Sequence, residues 1–371
     1  MFLKHLSLNN FRLFPAVEIE FNHELNVLSG MNGQGKTSIL EAIHYLALTR
    51  SFRVNEDSTA IRFSSDYFDI SAQLIFYPTE KNEVRVYYSN EQGKNYFVNG
   101  KKVITFTEVI GMIPCVISTG DDLRLIFGAP ADRRKFIDIV LSQTSSLYLQ
   151  NLKLYRRILQ QRNSLLNTGD LRTIHHQMSI WNEQLIDYGT QIIIRRLDFV
   201  DFLNRQLGDL YSGFTQRPEQ VQVVYKTDLQ DQPGVLDRSR IADLYARRLE
   251  KLAAAEYEKR ITLTGPNRDD LEFIKNERSV RQFCSIGESK IFALCLKFSE
   301  WKYLLQNKGH KPIMLLDDVF GELDNEKGKK ILALVREMGQ SFITTSGKME
   351  LSGDPVVKNY VCHNQGVHAI Q

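Results

Sequence analysis

One octet limits what this chain can fold into more than any other feature in it. Gly30-Met31-Asn32-Gly33-Gln34-Gly35-Lys36-Thr37 satisfies G-x-x-x-x-G-K-[ST] in full, and the pattern performs its chemistry only between a β-strand and a helix. Both flanks are present. Leu25–Ser29 reads as a short apolar strand, and Ile39, Leu40, Ile43, Leu46 and Ala47 form an apolar stripe at helical spacing from Lys36 to Leu48. Glycines let the backbone turn its N–H groups onto phosphate oxygens, and the helix adds its positive end. Lys36 offers a cation to the β- and γ-phosphates, and the Thr37 hydroxyl is a Mg²⁺ ligand. Gly30 through Ser38 are therefore the candidate contacts of a nucleoside triphosphate. A Gly-rich turn with an incidental lysine is the plainer alternative, and a full match in the right context disfavours it.

A phosphate loop of this kind needs an acidic strand end elsewhere in the chain. Ile313-Met314-Leu315-Leu316 is an apolar run that closes on Asp317 and Asp318. Asp317 is the expected metal carboxylate. Asp318, one residue on, points elsewhere and is the candidate to orient or deprotonate an attacking water. An exposed acidic turn after a core strand would look the same in isolation. Flanking this run, Ser289–Leu305 and Lys327–Met338 read as helices, and Ser341–Thr344 as a last buried strand.

The middle of the chain has a different texture. Asp132 to Tyr211 contains no proline, and Leu149, Leu152, Tyr155 and Leu159 recur at three- and four-residue intervals. Another helix is expected from about Arg238 to Tyr257, with β character returning at Ile261-Thr262-Leu263 and Leu271–Ile274. The expected organisation is a helical lobe, 126–258, inserted between α/β halves 1–125 and 259–371. No sustained heptad run, internal repeat or low-complexity segment is present.

A net charge of +3 does not by itself imply a nucleic-acid partner. Between Asp121 and Arg162, however, eight basic residues face four acidic ones. Arg133, Arg134, Lys153, Arg156 and Arg157 are the candidate DNA contacts there, with a solvated helix face as the equal alternative. The four cysteines are scattered without a C-x-x-C pair, so buried reduced thiols are expected. The His175-His176 pair has no matching ligands nearby and reads as a solvated helix face. No apolar run is long enough to span a membrane, and Met1–Leu6 is broken too early by polar residues to be a signal peptide. A cytoplasmic protein is the expectation.

The order of motifs resembles the RecF family of bacterial repair ATPases, in the SMC-like branch of the ABC ATPases. The resemblance is carried by Leu8–Arg12, the phosphate loop with Leu40-Glu41-Ala42-Ile43, and Ser51-Phe52-Arg53. Further along it includes Asp122 through Gly128, Arg133-Arg134, Phe136-Ile137-Asp138, Gly265–Leu271, and Asp317-Asp318 with Gly321-Glu322-Leu323-Asp324. It implies an α/β, ABC-type (SMC-like) head built from both chain ends with the helical lobe inserted. It also implies that Arg12 reaches the nucleotide. Ser285-Ile286-Gly287-Glu288-Ser289-Lys290 stands where such ATPases carry their signature, so that Ser285 and Gly287 of one copy cap the γ-phosphate held by another; an ordinary Ser N-cap is the alternative. The family mostly has glutamine at Glu288 and histidine at Asn267. The resemblance further implies ATP and Mg²⁺ as cofactors and an ATP-dependent homodimer that is a weak ATPase. Its expected partners are duplex and gapped DNA together with RecR, RecO and RecA, in recombinational repair and the SOS response. Two rivals are an SMC-like ATPase of mobile or defence systems and a transporter ATPase subunit. The latter would need a switch histidine, where this chain has Thr344-Thr345-Ser346.

Overall fold

The architecture is that of a computed structural model. It describes residues 1–76, 80–168, 171–229, 237–322, 325–346 and 356–370, with the backbone alone for 171–177, 321, 322 and 325. The side chains of His175, His176 and Glu322 therefore lie outside the described ones, Gly321 is described by its backbone alone, and Leu323 and Asp324 lie outside the described residues. The chain forms two compact units, Met1–Asp122 with Ala293–Gln371, and Leu123–Phe292.

The first unit holds two six-stranded sheets. One is antiparallel, in the order Phe14–Glu20, Phe2–Phe11, Tyr67–Phe76, Glu80–Ser89, Gly93–Val98 and Lys101–Lys102. Period-two alternation drives it: Phe68, Ile70, Ala72 and Leu74 point inward along one strand. A turn at residues 90–92 joins two of its strands. The other sheet runs Gly366–Ile370, Val357–His363, Leu25–Ser29, Ser341–Thr345, Ile313–Asp317 and Cys115–Ser118, all parallel except the first. The strand that feeds the phosphate loop is thus flanked on both sides by strands from the last thirty or so residues of the chain. Register pairs Asp317 with Thr344, and Thr344 with Leu28, so three strands present their carboxyl ends side by side.

The helix Lys36–Leu48 touches strands of both sheets, and every residue in it except Thr37 is buried. The expected single apolar stripe is therefore only part of its surface, because a helix between two sheets is covered all round. Its polar members are satisfied internally. His44 Nδ1 lies 2.7 Å from Arg50 O, and Tyr45 donates to Asp57 at 2.9 Å.

The second unit contains the helices Pro130–Thr144, Ser146–Thr168, Leu171–Thr215 and Arg238–Lys259. It also contains an antiparallel sheet, Arg278–Ser279, Asp270–Lys275 and Val221–Lys226. Three expectations need correction here. Val221–Lys226 is a strand within the segment expected to be helical, and its pairing draws Asp270–Lys275 into this unit, which closes at Phe292 instead of 258. Ile261–Leu263 is not a strand, because side chains capture its backbone: Asn163 accepts from Thr262 N–H at 2.9 Å, and Arg268 donates to Thr262 O. The helix expected from Ser289 begins at Ile286 and continues to Lys308.

Candidate nucleotide-binding site

Two glycines of the loop are dictated by space as well as by backbone. Gly30 takes φ 144, and a Cβ there would stand 2.6 Å from the carbonyl oxygen of Cys362. Gly35, the N-cap of the loop helix, takes φ 93, and a Cβ there would meet the Phe14 ring at 2.5 Å. Gly35→Ala is accordingly expected to cost about 2 kcal/mol or more of stability through strain and overpacking. It should also lower triphosphate affinity at least about ten-fold by displacing the N–H groups of the helix start. Thermal melts with nucleotide titration would check both, and a variant that melts and binds like the parent would show that the loop can relax around the methyl. Lys36 is buried and folds over its own loop, donating to Gly30 O at 2.7 Å and to Met31 O at 2.9 Å.

The acidic strand end meets the loop directly. Asp317 Oδ1 accepts from the Thr37 hydroxyl at 2.9 Å and from the Thr344 hydroxyl at 2.7 Å. Thr344 Oγ1 also accepts the Asp318 N–H at 2.9 Å. Thr344, near the end of the strand Ser341–Thr345, is thus spent on orienting the two aspartates. Asp318 is exposed and sits at φ 53, a left-handed conformation that a non-glycine residue adopts at some cost and that recurs at functional sites.

These residues line a cavity of about 920 Å³ together with Arg12, Arg53, Ile61, Arg62 and Phe63. Arg12 is fixed there by a residue for which sequence reading assigned no role. Its guanidinium donates to both carboxylate oxygens of Glu41, at 2.9 and 2.6 Å, and to Thr59 O at 2.6 Å. Ser51 also donates to Glu41, and Arg53 lies 3.5 Å from it. Glu41 is wholly buried, so its charge is compensated by this ring of donors. An acid in the middle of an apolar helix was the available signal.

In the second unit, Ser285 and Glu288 form a reciprocal cap at the start of the helix Ile286–Lys308. Ser285 Oγ and N–H both donate to Glu288 Oε2, at 2.8 and 2.9 Å, and the Glu288 N–H faces Ser285 Oγ at 3.3 Å. Ser285 therefore serves as the N-cap of this helix. Glu288 Oε1 pairs with Lys275, and that ammonium together with the Ser285 N–H holds the carboxyl at about 2. The negative charge of Glu288 is consequently matched within its own unit. Asn267 likewise has a local role, accepting from Tyr155 at 2.6 Å. Gly265 of the same motif takes φ 103 against the Tyr245 hydroxyl.

Of the five candidate DNA contacts, Arg133 must be withdrawn. It is buried, bidentate to Asp270 at 2.7 and 2.9 Å, and bonded to Leu125 O and Gly128 O, so its donors are consumed inside the unit. Arg134 is half-buried and donates to Asp269 O. Lys153, Arg156 and Arg157 are exposed at i, i+3 and i+4 on Ser146–Thr168, with Arg156 paired to Asp138 at 3.2 Å. Among the described residues, no cluster of three or more His, Cys, Asp or Glu could hold a metal, and no helix is long and apolar enough to cross a membrane.

The sequence matches the family model for the RecF/RecN/SMC N terminal domain over residues 2–366. It is 38% identical to the DNA replication and repair protein RecF of Chlorobaculum parvum, over 95% of this chain and 96% of that one. The chain belongs to the RecF family. A solved RecF–ATP structure, of the recombination mediator protein in the RecFOR pathway, superposes with a TM-score of 0.91 at 30% identity, covering 100% of this chain and 98% of that one. An Smc head domain from Pyrococcus yayanosii, 12% identical with a TM-score of 0.59, covers 100% and 97% and shares the fold. The ABC-type, SMC-like head expected from the motifs is thus the fold of this RecF-family chain, which falls among DNA replication and repair proteins.

Proposed function

We propose that the cavity binds ATP with Mg²⁺, and that the bound nucleotide joins two copies of the chain into a clamp on DNA. The meeting of Thr37 and Asp317 at 2.9 Å beside the phosphate loop carries this reading. A hydroxyl and a carboxylate are hard oxygen donors, and Mg²⁺ is usually held by one or two such side chains with phosphate oxygens. When bound there, the ion would neutralise charge on the β- and γ-phosphates. Lys36 would exchange its loop carbonyls for phosphate oxygens, Thr344 would keep the aspartates oriented, and Asp318 would take the proton of an attacking water. Ser285 and Gly287 of a second copy would cap the γ-phosphate, and slow hydrolysis would release the pair. The RecF–ATP relative supports the nucleotide. In the RecFOR setting named for that relative, RecR and RecO would be the partners, with RecA loading at single-strand gaps as the outcome and recombinational repair and the SOS response as the context.

The test is binding to gapped and plain duplex, with and without ATP and Mg²⁺. DNA affinity that rises with ATP in step with dimer formation is expected. Replacing both Lys153 and Arg157 with alanine should weaken DNA binding roughly ten-fold and flatten the salt dependence by about two counterions, uniformly across sequences. Nucleotide binding without any DNA affinity at low salt would overturn the clamp.

A further inference from the structure

One wall of the cavity has no part in phosphate chemistry. The turn Arg62–Ser65 closes through Ser65 N–H on Arg62 O at 3.1 Å, with Ser64 at φ 63. Its root is pinned. Arg62 N–H donates to Asn10 O and Arg12 N–H to Ala60 O, each at 2.8 Å, around an antiparallel bridge between Phe11 and Ile61. Because Arg12 is itself held on Glu41, the turn has a defined place in the cavity wall. On it Phe63 leaves 92% of its surface exposed, yet it lines the same cavity as Lys36, Thr37 and Asp317.

A scattered exposed apolar residue needs no explanation. Phe63 is different in its setting, since a rigid turn presents it to a cavity walled by Arg12, Arg53 and Arg62. A triphosphate alone would leave much of about 920 Å³ unfilled. We infer that Phe63 is the platform on which the nucleobase stacks, with Ile61 extending the apolar surface. This rests on the cavity being the ATP site and adds how the base is held. A π-face is common to all bases, so recognition here is by face. ATP and GTP should therefore bind within a few-fold of each other. Tripolyphosphate, with similar charge and no base, should bind far more weakly.

The experiment is calorimetric titration of the full chain with ATP, GTP and tripolyphosphate, each with Mg²⁺, repeated for Phe63→Ala and Phe63→Trp. Phe63 is so exposed that neither change threatens the fold. Phe63→Ala should weaken ATP and GTP about ten-fold and leave tripolyphosphate unchanged, while Phe63→Trp should restore or strengthen both nucleotides. Equal losses for ATP and tripolyphosphate would instead mean that Phe63 supports the loop or a protein interface, and the base platform falls. So does an unchanged ATP affinity in Phe63→Ala, or a parent that binds tripolyphosphate as tightly as ATP. A parent chain that binds neither ATP nor tripolyphosphate would remove the nucleotide reading itself, an outcome distinct from all of these.

Discussion

Replacing Lys36 with alanine is expected to lower ATP affinity by at least about a hundred-fold and to abolish ATP-driven association, while the chain remains folded. The lysine is the cation at the heart of the loop, and charge-assisted bonds to phosphate in a partly desolvated site are among the strongest polar contacts available. Two powers of ten correspond to about 2.7 kcal/mol, in line with such bonds. The folding cost should be small, because the two loop carbonyls that Lys36 now engages, on Gly30 and Met31, can turn to water. Nucleotide titration, light scattering with and without ATP, and a thermal melt separate these effects. Dimers that still form with ATP in the variant would mean that association does not run through this site.

The largest stability effect is expected at Glu256. Its carboxylate and the Arg162 guanidinium are 1% and 2% exposed and meet at 2.6 Å. Arg162 also donates to Asn182 and Thr262, and Glu256 accepts the Leu263 N–H at 2.7 Å. Glu256→Ala would leave a buried guanidinium without its counter-charge, a class of change that costs about 3–5 kcal/mol. Urea unfolding should show the loss as a lower midpoint with an unchanged slope. Combining Glu256→Leu with Arg162→Met removes both charges and should recover a good part of that loss, since an apolar pair can replace a buried ion pair. A single variant that loses less than about 1 kcal/mol would show that water reaches the arginine.

The same arginine explains where sequence reading stops. In a list of charges, Arg162 and Arg133 are indistinguishable from Arg157, and all three belonged to one basic stripe. What separates them is an acid 94 residues away for Arg162 and 137 residues away for Arg133. Burial of that kind is decided by tertiary packing, and local spacing does not encode it. The nucleotide site was far more legible, because a phosphate loop and an acidic strand end each need fixed residue types at fixed spacing. Register then brings Thr37 and Asp317 together across 280 positions. Glu41 and Thr344 escaped because their partners could not be named until the strands were ordered. Val221–Lys226 alternates as a strand should, yet it lay between long helices and was absorbed into them.

Strand order also has a consequence for how the protein comes into being. Leu25–Ser29 emerges early from the ribosome, but both of its neighbours, Ser341–Thr345 and Val357–His363, are among the last segments made. At about 5–20 residues per second, the first strand waits for roughly 15–60 s with both edges unpaired. Through that interval the nascent chain carries an apolar strand that no native partner can cover, and the phosphate loop behind it has no floor. Nucleotide binding should therefore be absent from every ribosome-stalled fragment that stops short of the last strands. The early product is a natural client for chaperones that shield exposed strand edges.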